Sequence, residues 1–78
     1  MKVDRQDIIA AVRDAKVVSD PDKLRDEVKL SDQGVDSLGV FNILLVLGEK
    51  YGIEIPDSDV DQLTTIAVMI DYLNRRLA

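Results

Sequence analysis

From Leu38 to Leu47 only Gly39 and Asn42 interrupt a run of Leu, Val, Phe and Ile. A helix apolar on more than one side is buried on more than one side, or offers a face to something else. The run is too short to span a bilayer, so it reads as the central helix of a small domain, over about Ser37 to Tyr51. At roughly 100° per residue, Val40, Ile43, Leu44, Leu47 and Tyr51 share one face and make an ordinary core stripe. Leu38, Phe41 and Leu45 make a second stripe, separated from the first by the row through Ser37 and Gly48. A chain of 78 residues has little room to bury both, so the second stripe is expected to be a docking surface. Gly39 and Gly48 each weaken such a helix by about 0.5–1 kcal/mol relative to alanine, and close approach of a partner or ligand is a candidate reason for them.

Two residues able to cap this helix, Asp36 and Ser37, stand just before the run. A helix start has orphan N–H groups, and one carboxylate or hydroxyl oxygen satisfies one of them. If Asp36 is the cap, the Ser37 hydroxyl is free at a helix mouth whose dipole favours an anion. The chain has no histidine and no cysteine, so no neighbouring imidazole can activate that serine. Ser37 is therefore a poor nucleophilic catalyst and a good place for another enzyme to build a phosphate ester. The simpler reading, a capping pair and nothing more, stays open at this point.

The remaining chain alternates helical periodicity with punctuation. Asp4 is a good cap for a first helix to about Lys16, with Ile8, Ile9, Val12 and Ala15 inward and Arg5, Gln6, Arg13 and Asp14 outward. The segment around Pro21 breaks that helix. Residues 19–36 then form a long charged connection anchored by Leu24, Val28 and Leu30, with a short helical turn expected around Lys23 to Glu27. Gly52 suits the left-handed end of the central helix. Ile53-Glu54-Ile55-Pro56 reads as an extended connector with both isoleucines inward, and Asp57 to Leu63 as a short helix burying Val60 and Leu63. Thr64-Thr65 offers a cap for a last helix over about Ile66 to Leu77, with Ile66, Met69, Ile70, Leu73 and Leu77 on one face. The sum is all-α: a small four-helix bundle of three long helices and one short one, with a long loop between the first two.

Composition narrows the function. A charge of −5 and an aromatic content of only 4% argue against nucleic acid, which needs basic grooves and stacking platforms. The same acidity points to basic partner surfaces. Without cysteine there is no disulfide framework or thiolate metal site. Asp57, Asp59 and Asp61 have calcium-loop spacing, but Gln62 replaces the turn glycine and Val68 the bidentate acid, so a solvated acidic face is the better reading. Met1-Lys2-Val3-Asp4 runs straight into a polar segment, so residues 1–78 are expected to be a single cytoplasmic domain, monomeric, with no leader and no membrane span.

The chain resembles the acyl carrier protein family over nearly its whole length. Gly34-Val35-Asp36-Ser37-Leu38 fits the family's Gly-x-Asp-Ser-Leu attachment motif at every fixed position, and Leu30-Ser31-Asp32 is similar to its lead-in. Tyr51 to Asp57 resembles the family's aromatic-x-x-Glu-Ile-Pro segment, and Thr64-Thr65-Ile66 with Asp71-Tyr72-Leu73 resembles its last helix. The resemblance implies that a phosphopantetheinyl transferase attaches 4′-phosphopantetheine to Ser37, flanked by Asp36 and Leu38. The thiol of that arm would carry acyl groups as thioesters, the chain itself being no enzyme. It further implies acyl synthase and transferase partners with basic or apolar docking patches, meeting Leu38, Phe41, Asn42, Leu45, Glu49, Asp57 and Asp59. Val40, Leu44, Ile55, Val60, Leu63 and Met69, together with Phe41 and Leu45, are the implied walls or rim of an acyl-chain pocket.

Where fatty-acid-synthesis members usually carry acids after the serine, this chain has Gly39, Asn42 and Gly48, and Gln33 stands where an apolar residue is common. These departures favour a specialised carrier, for a polyketide, lipid-modification or other dedicated pathway, over the housekeeping fatty-acid carrier. An aminoacyl or peptidyl carrier is the near alternative. A cofactor-free helical adaptor, binding partners through the central helix, is the alternative from another class.

Overall fold

Each long helix starts at a side chain that takes up an orphan amide. In the computed structural model, which describes residues 2–78, α1 (Arg5–Ala15) opens with a capping box: Asp7 N–H donates to the Asp4 carboxylate, and Asp4 N–H to the Asp7 carboxylate. α2 (Ser37–Tyr51) is capped by Asp36, and α4 (Ile66–Arg76) by the Thr65 hydroxyl, which accepts from Val68 N–H. α3 is a single turn, Asp57–Val60. No strand occurs among the described residues, and the architecture is the small helical bundle expected.

α1 packs on both α2 and α4, and the core lies between them. Ile8, Ile9 and Val12 of α1 meet Ile43 and Leu47 of α2 and Ile66, Met69 and Leu73 of α4, all essentially without solvent exposure. Val40 and Tyr51, expected on the same α2 face, are half-buried at its edge. Ile70 and Leu77 are likewise half-buried rather than fully inside.

The long connection departs from expectation. Its helical turn is a 3-10 turn at Pro21–Lys23, not at Lys23 to Glu27, because proline at the first position presets the backbone. A second 3-10 turn, Leu30–Gln33, was not foreseen. Arg5, expected to face solvent, folds over this loop: its guanidinium donates to the Asp22 and Leu24 carbonyls at 3.0 Å and pairs with Asp26 at 2.6 Å. Gln33 holds the next stretch, accepting from Arg25 N–H at 2.6 Å and donating to the Arg25 and Val28 carbonyls. Leu24 and Leu30 are buried as anticipated, while Val28 is half-buried. Ala67 N–H to the Asp26 carbonyl and Leu30 N–H to the Thr64 carbonyl then sew the loop to the start of α4.

α2 ends at Gly52, left-handed at φ +66°, where Gly52 N–H and Ile53 N–H both donate to the Gly48 carbonyl. A Cβ on Gly48 would stand 2.9 Å from the Ile53 carbonyl oxygen. The chain's own return therefore requires that glycine, and no partner need be invoked. α3 stops four residues in, short of the Leu63 expected, and Leu63 enters the core from the turn after it.

Leu47 is fully buried at the centre of the packing. Leu47→Ala is expected to cost about 2–5 kcal/mol, from lost transfer energy and an unfilled cavity. That is a large share of the roughly 5–15 kcal/mol typical of a domain, and urea unfolding followed by circular dichroism would register it as a sharply lowered midpoint.

Candidate functional site

The start of α2 is built from three short-range facts. Gly34 is left-handed at φ +89° and turns the chain, so that Val35 drops into the core at 1% exposure. Asp36 follows with its carboxylate 2.7 Å from Gly39 N–H and its carbonyl accepting from Val40 N–H. Ser37 is thereby released from capping, and it is exposed at the first helical position. The amides of Ser37 and Leu38 have no partner inside the helix, and the positive end of the dipole lies there.

Two apolar clefts lie along the α3 side of α2, one of them at this serine. The nearer, about 180 Å³, is lined by Ser37 together with Ser31, Val35, Val40, Val60, Asp61, Leu63 and Thr64. The farther, about 530 Å³, has Leu44, Ile53, Ile55 and Val60 inside, Phe41 and Leu45 at its lip, and Glu49, Glu54 and Asp57 on its rim. Of the residues expected as pocket walls, Val40 and Leu63 therefore line the first, Leu44 and Ile55 the second, and Val60 both. Met69 belongs with neither: it is wholly enclosed in the core. Ile53, Ser31 and Thr64 line the clefts without having been expected as walls, although the inward Ile53-x-Ile55 pairing was a usable signal for the first of them.

Along α2 from Ser37, Leu38, Phe41 and Leu45 are open to solvent at 66%, 40% and 48%, the last two at the lip of the larger cleft. Asn42 is half-buried beside Leu38, in a polar depression with Lys16 and Asp36. Asp57 is exposed, whereas Asp59 is engaged by Tyr72, whose hydroxyl donates to it at 2.7 Å. Burial raises the Tyr72 phenol above its ordinary pKa, and the bond to Asp59 adds to the rise. No group of three or more acidic side chains among the described residues is placed to hold a metal ion.

Residues 6–73 match the family model described as the phosphopantetheine attachment site. The chain belongs to the acyl carrier protein family. A protein of Schizosaccharomyces pombe named as a mitochondrial acyl carrier protein is 34% identical over 73 residues, 85% of this chain and 65% of that one. An acyl carrier protein of Bdellovibrio bacteriovorus is 34% identical over 58 residues, 73% of this chain and 74% of its own. The chain thus spans somewhat less than two thirds of the first relative's length. The fold is similar to the butyryl form of the carrier from the actinorhodin polyketide synthase of Streptomyces coelicolor, at TM-score 0.84 and 22% identity over 99% of this chain and 93% of that one.

Acyl carrier proteins are carriers and not enzymes, and their cofactor is 4′-phosphopantetheine, installed by a phosphopantetheinyl transferase and presented to acyl synthases and transferases. The start of α2 fits such a group on this chain's own geometry, having an exposed hydroxyl, a cap already supplied by Asp36, and two amides without an intrahelical partner. No helix is long and apolar enough to cross a membrane among the described residues.

Asp36→Ala is expected to destabilise the fold by about 0.5–2 kcal/mol through loss of the cap, with Asp36→Asn recovering most of it. Thermal unfolding of the three proteins side by side measures this.

Proposed function

We propose that Ser37 is the residue that bears the phosphopantetheine, and that the carrier serves a dedicated acyl pathway, of polyketide or specialised lipid type. The observation that carries this reading is the free Ser37 hydroxyl at the mouth of α2, with the Gly34-to-Leu38 motif around it and Asp36 already serving as cap. When bound, the cofactor supplies the thiol that a cysteine-free chain lacks, and acyl groups are held on it as thioesters. The chain's own work is to hold and present. The amides of Ser37 and Leu38 and the α2 dipole stabilise the phosphodiester charge, offsetting the nearby Asp36 carboxylate. The two clefts along α2 offer an apolar chain a place out of water, each buried CH₂ contributing about 0.8 kcal/mol.

Docking falls to the stripe Leu38, Phe41 and Leu45, flanked by Asn42 and Glu49, with Asp57 and Asp59 on the adjoining α3. The stripe has no acid between Ser37 and Glu49, so contact with the partner rests on apolar burial more than on ion pairs. This is also what sets the protein apart from a carrier that reads basic patches through an acidic helix, and it supports the dedicated-pathway reading.

Incubation with a phosphopantetheinyl transferase and coenzyme A is expected to add the mass of one phosphopantetheinyl group, and Ser37→Ala to abolish the gain. A wild-type protein that stays bare would leave the cofactor-free adaptor as the better account. The arm-bearing protein taken from its native cell reports its cargo by intact mass, an aminoacyl mass indicating the alternative carrier class.

Phe41→Ala is expected to raise the transferase KM for the protein by roughly fivefold or more, as for an interface anchor worth at least ~1 kcal/mol. Raising salt should raise that KM by less than the Phe41→Ala substitution does. Strong salt dependence with an unaffected Phe41→Ala variant would point to ion pairing instead.

A further inference from the structure

The two clefts beside α2 share a single residue, Val60. On one side of it lies the 180 Å³ space that includes Ser37, and on the other the 530 Å³ space under Phe41 and Leu45. We propose that Val60 is a partition between them, and that its size sets the length of acyl chain this carrier shelters. The proposal rests on the reading that the acyl group is tethered through Ser37. A chain that outgrows either cleft has to pass Val60 to gain further burial.

The support for Val60 comes from outside its own helix. α3 is one turn long, has no side-chain cap and contains no fully buried residue, so it cannot hold a position by itself. It is tied down from the far side by α4. Tyr72 donates to the Asp59 carboxylate at 2.7 Å, and Arg76 donates to the Tyr72 hydroxyl at 2.7 Å and to the Glu54 carbonyl at 3.2 Å. These ties pin α3 and the connector before it, while half-buried Val60, next in sequence to Asp59, stands between the clefts. A residue placed by its neighbours and touching two apolar spaces can be changed in size without removing a core anchor, since the fully buried Leu63 and Met69 stay in place.

The test uses the full chain loaded at Ser37 from a series of straight-chain saturated acyl-coenzyme A donors, from butyryl to dodecanoyl. The readouts are the rate of thioester cleavage by hydroxylamine and the methyl NMR shifts of Val60, Leu44 and Ile55. In the wild type, protection is expected to rise by about fourfold for each methylene that becomes buried, and to level off at the length that meets Val60. Val60→Ala should move that plateau to longer chains and Val60→Leu to shorter ones, with the methyl shifts of Leu44 and Ile55 following the same order. Circular dichroism confirms that each variant is folded, and the opposite directions expected of the two variants separate a partition from general loosening. The same plateau in all three loaded proteins, or no protection at any length, would overturn the partition. Failure to gain mass at Ser37 is seen at the loading step, before lengths are compared, and overturns the tether on which the partition depends.

Discussion

The hydrogen bond from Gly39 N–H to the Asp36 carboxylate, 2.7 Å long, settles what the start of α2 can offer. It is possible because the loop lies unusually close to the helix there: a Cβ on residue 39 would stand 2.9 Å from a Val35 methyl and 3.3 Å from both the Asp36 carboxylate and a Val17 methyl. Glycine costs a helix about 1 kcal/mol against alanine, whereas forcing a methyl into a filled site costs typically about 1–3 kcal/mol. The packing term is the larger, so a residue that looks like a defect in an apolar helix is what lets Val35 bury, Asp36 cap and Ser37 face out. Exposure of the serine is thus a consequence of core packing one turn away.

The same economy of apolar surface explains how the long connection is held. With the core supplied mainly by one face of each long helix, the loop contributes only Pro21, Leu24, Leu30 and Val35 as buried side chains. Polar side chains do the rest by satisfying loop carbonyls and amides that would otherwise need water. Arg5 serves two carbonyls and one carboxylate, and Gln33 serves two carbonyls and one amide. Asn74 does the same for the segment before α1, accepting from Val3 N–H at 2.6 Å and donating to the Val3 carbonyl. No buried side-chain nitrogen or oxygen among the described residues is left without a partner. Gln33 is therefore a polar device that holds a loop which apolar burial alone does not fix.

What could be read in the sequence was what local chemistry decides. Asp4, Asp36 and Thr65 cap helices because their oxygens reach amides two or three residues on, and Gly52 ends α2 because it alone there takes a positive φ without strain. The exposed stripe of Leu38, Phe41 and Leu45 followed from periodicity, and the free Ser37 from counting caps. What could not be read depended on residues far apart in the chain. Arg5 turns inward only because a loop 17 to 21 residues away presents carbonyls to it. Gly39 and Gly48 were open to a partner-based explanation until the internal approach of Val35 and Ile53 was visible. Met69 shares a helical face with core residues, and no periodicity distinguishes a core position from a cleft wall. Lys16 ends α1 in the left-handed region at φ +57°, a place where sequence would look for glycine or asparagine.

The placement of charge completes the picture of a surface with two roles. The net charge of −5 gives the protein a long-range field that draws basic surfaces toward it. Yet the acids that border the two clefts are Glu49, Glu54, Asp57 and Asp61, and the exposed stripe Leu38, Phe41 and Leu45 carries none. On the proposed reading, encounter and residence are then governed by different residues. The acidic rim sets how fast a basic partner arrives, an effect salt weakens, while Leu38, Phe41 and Leu45 set how long it stays, an effect salt hardly touches. A carrier has to be released after each visit, and an interface whose lifetime rests on a few apolar side chains flanking the tether can be both selective and brief.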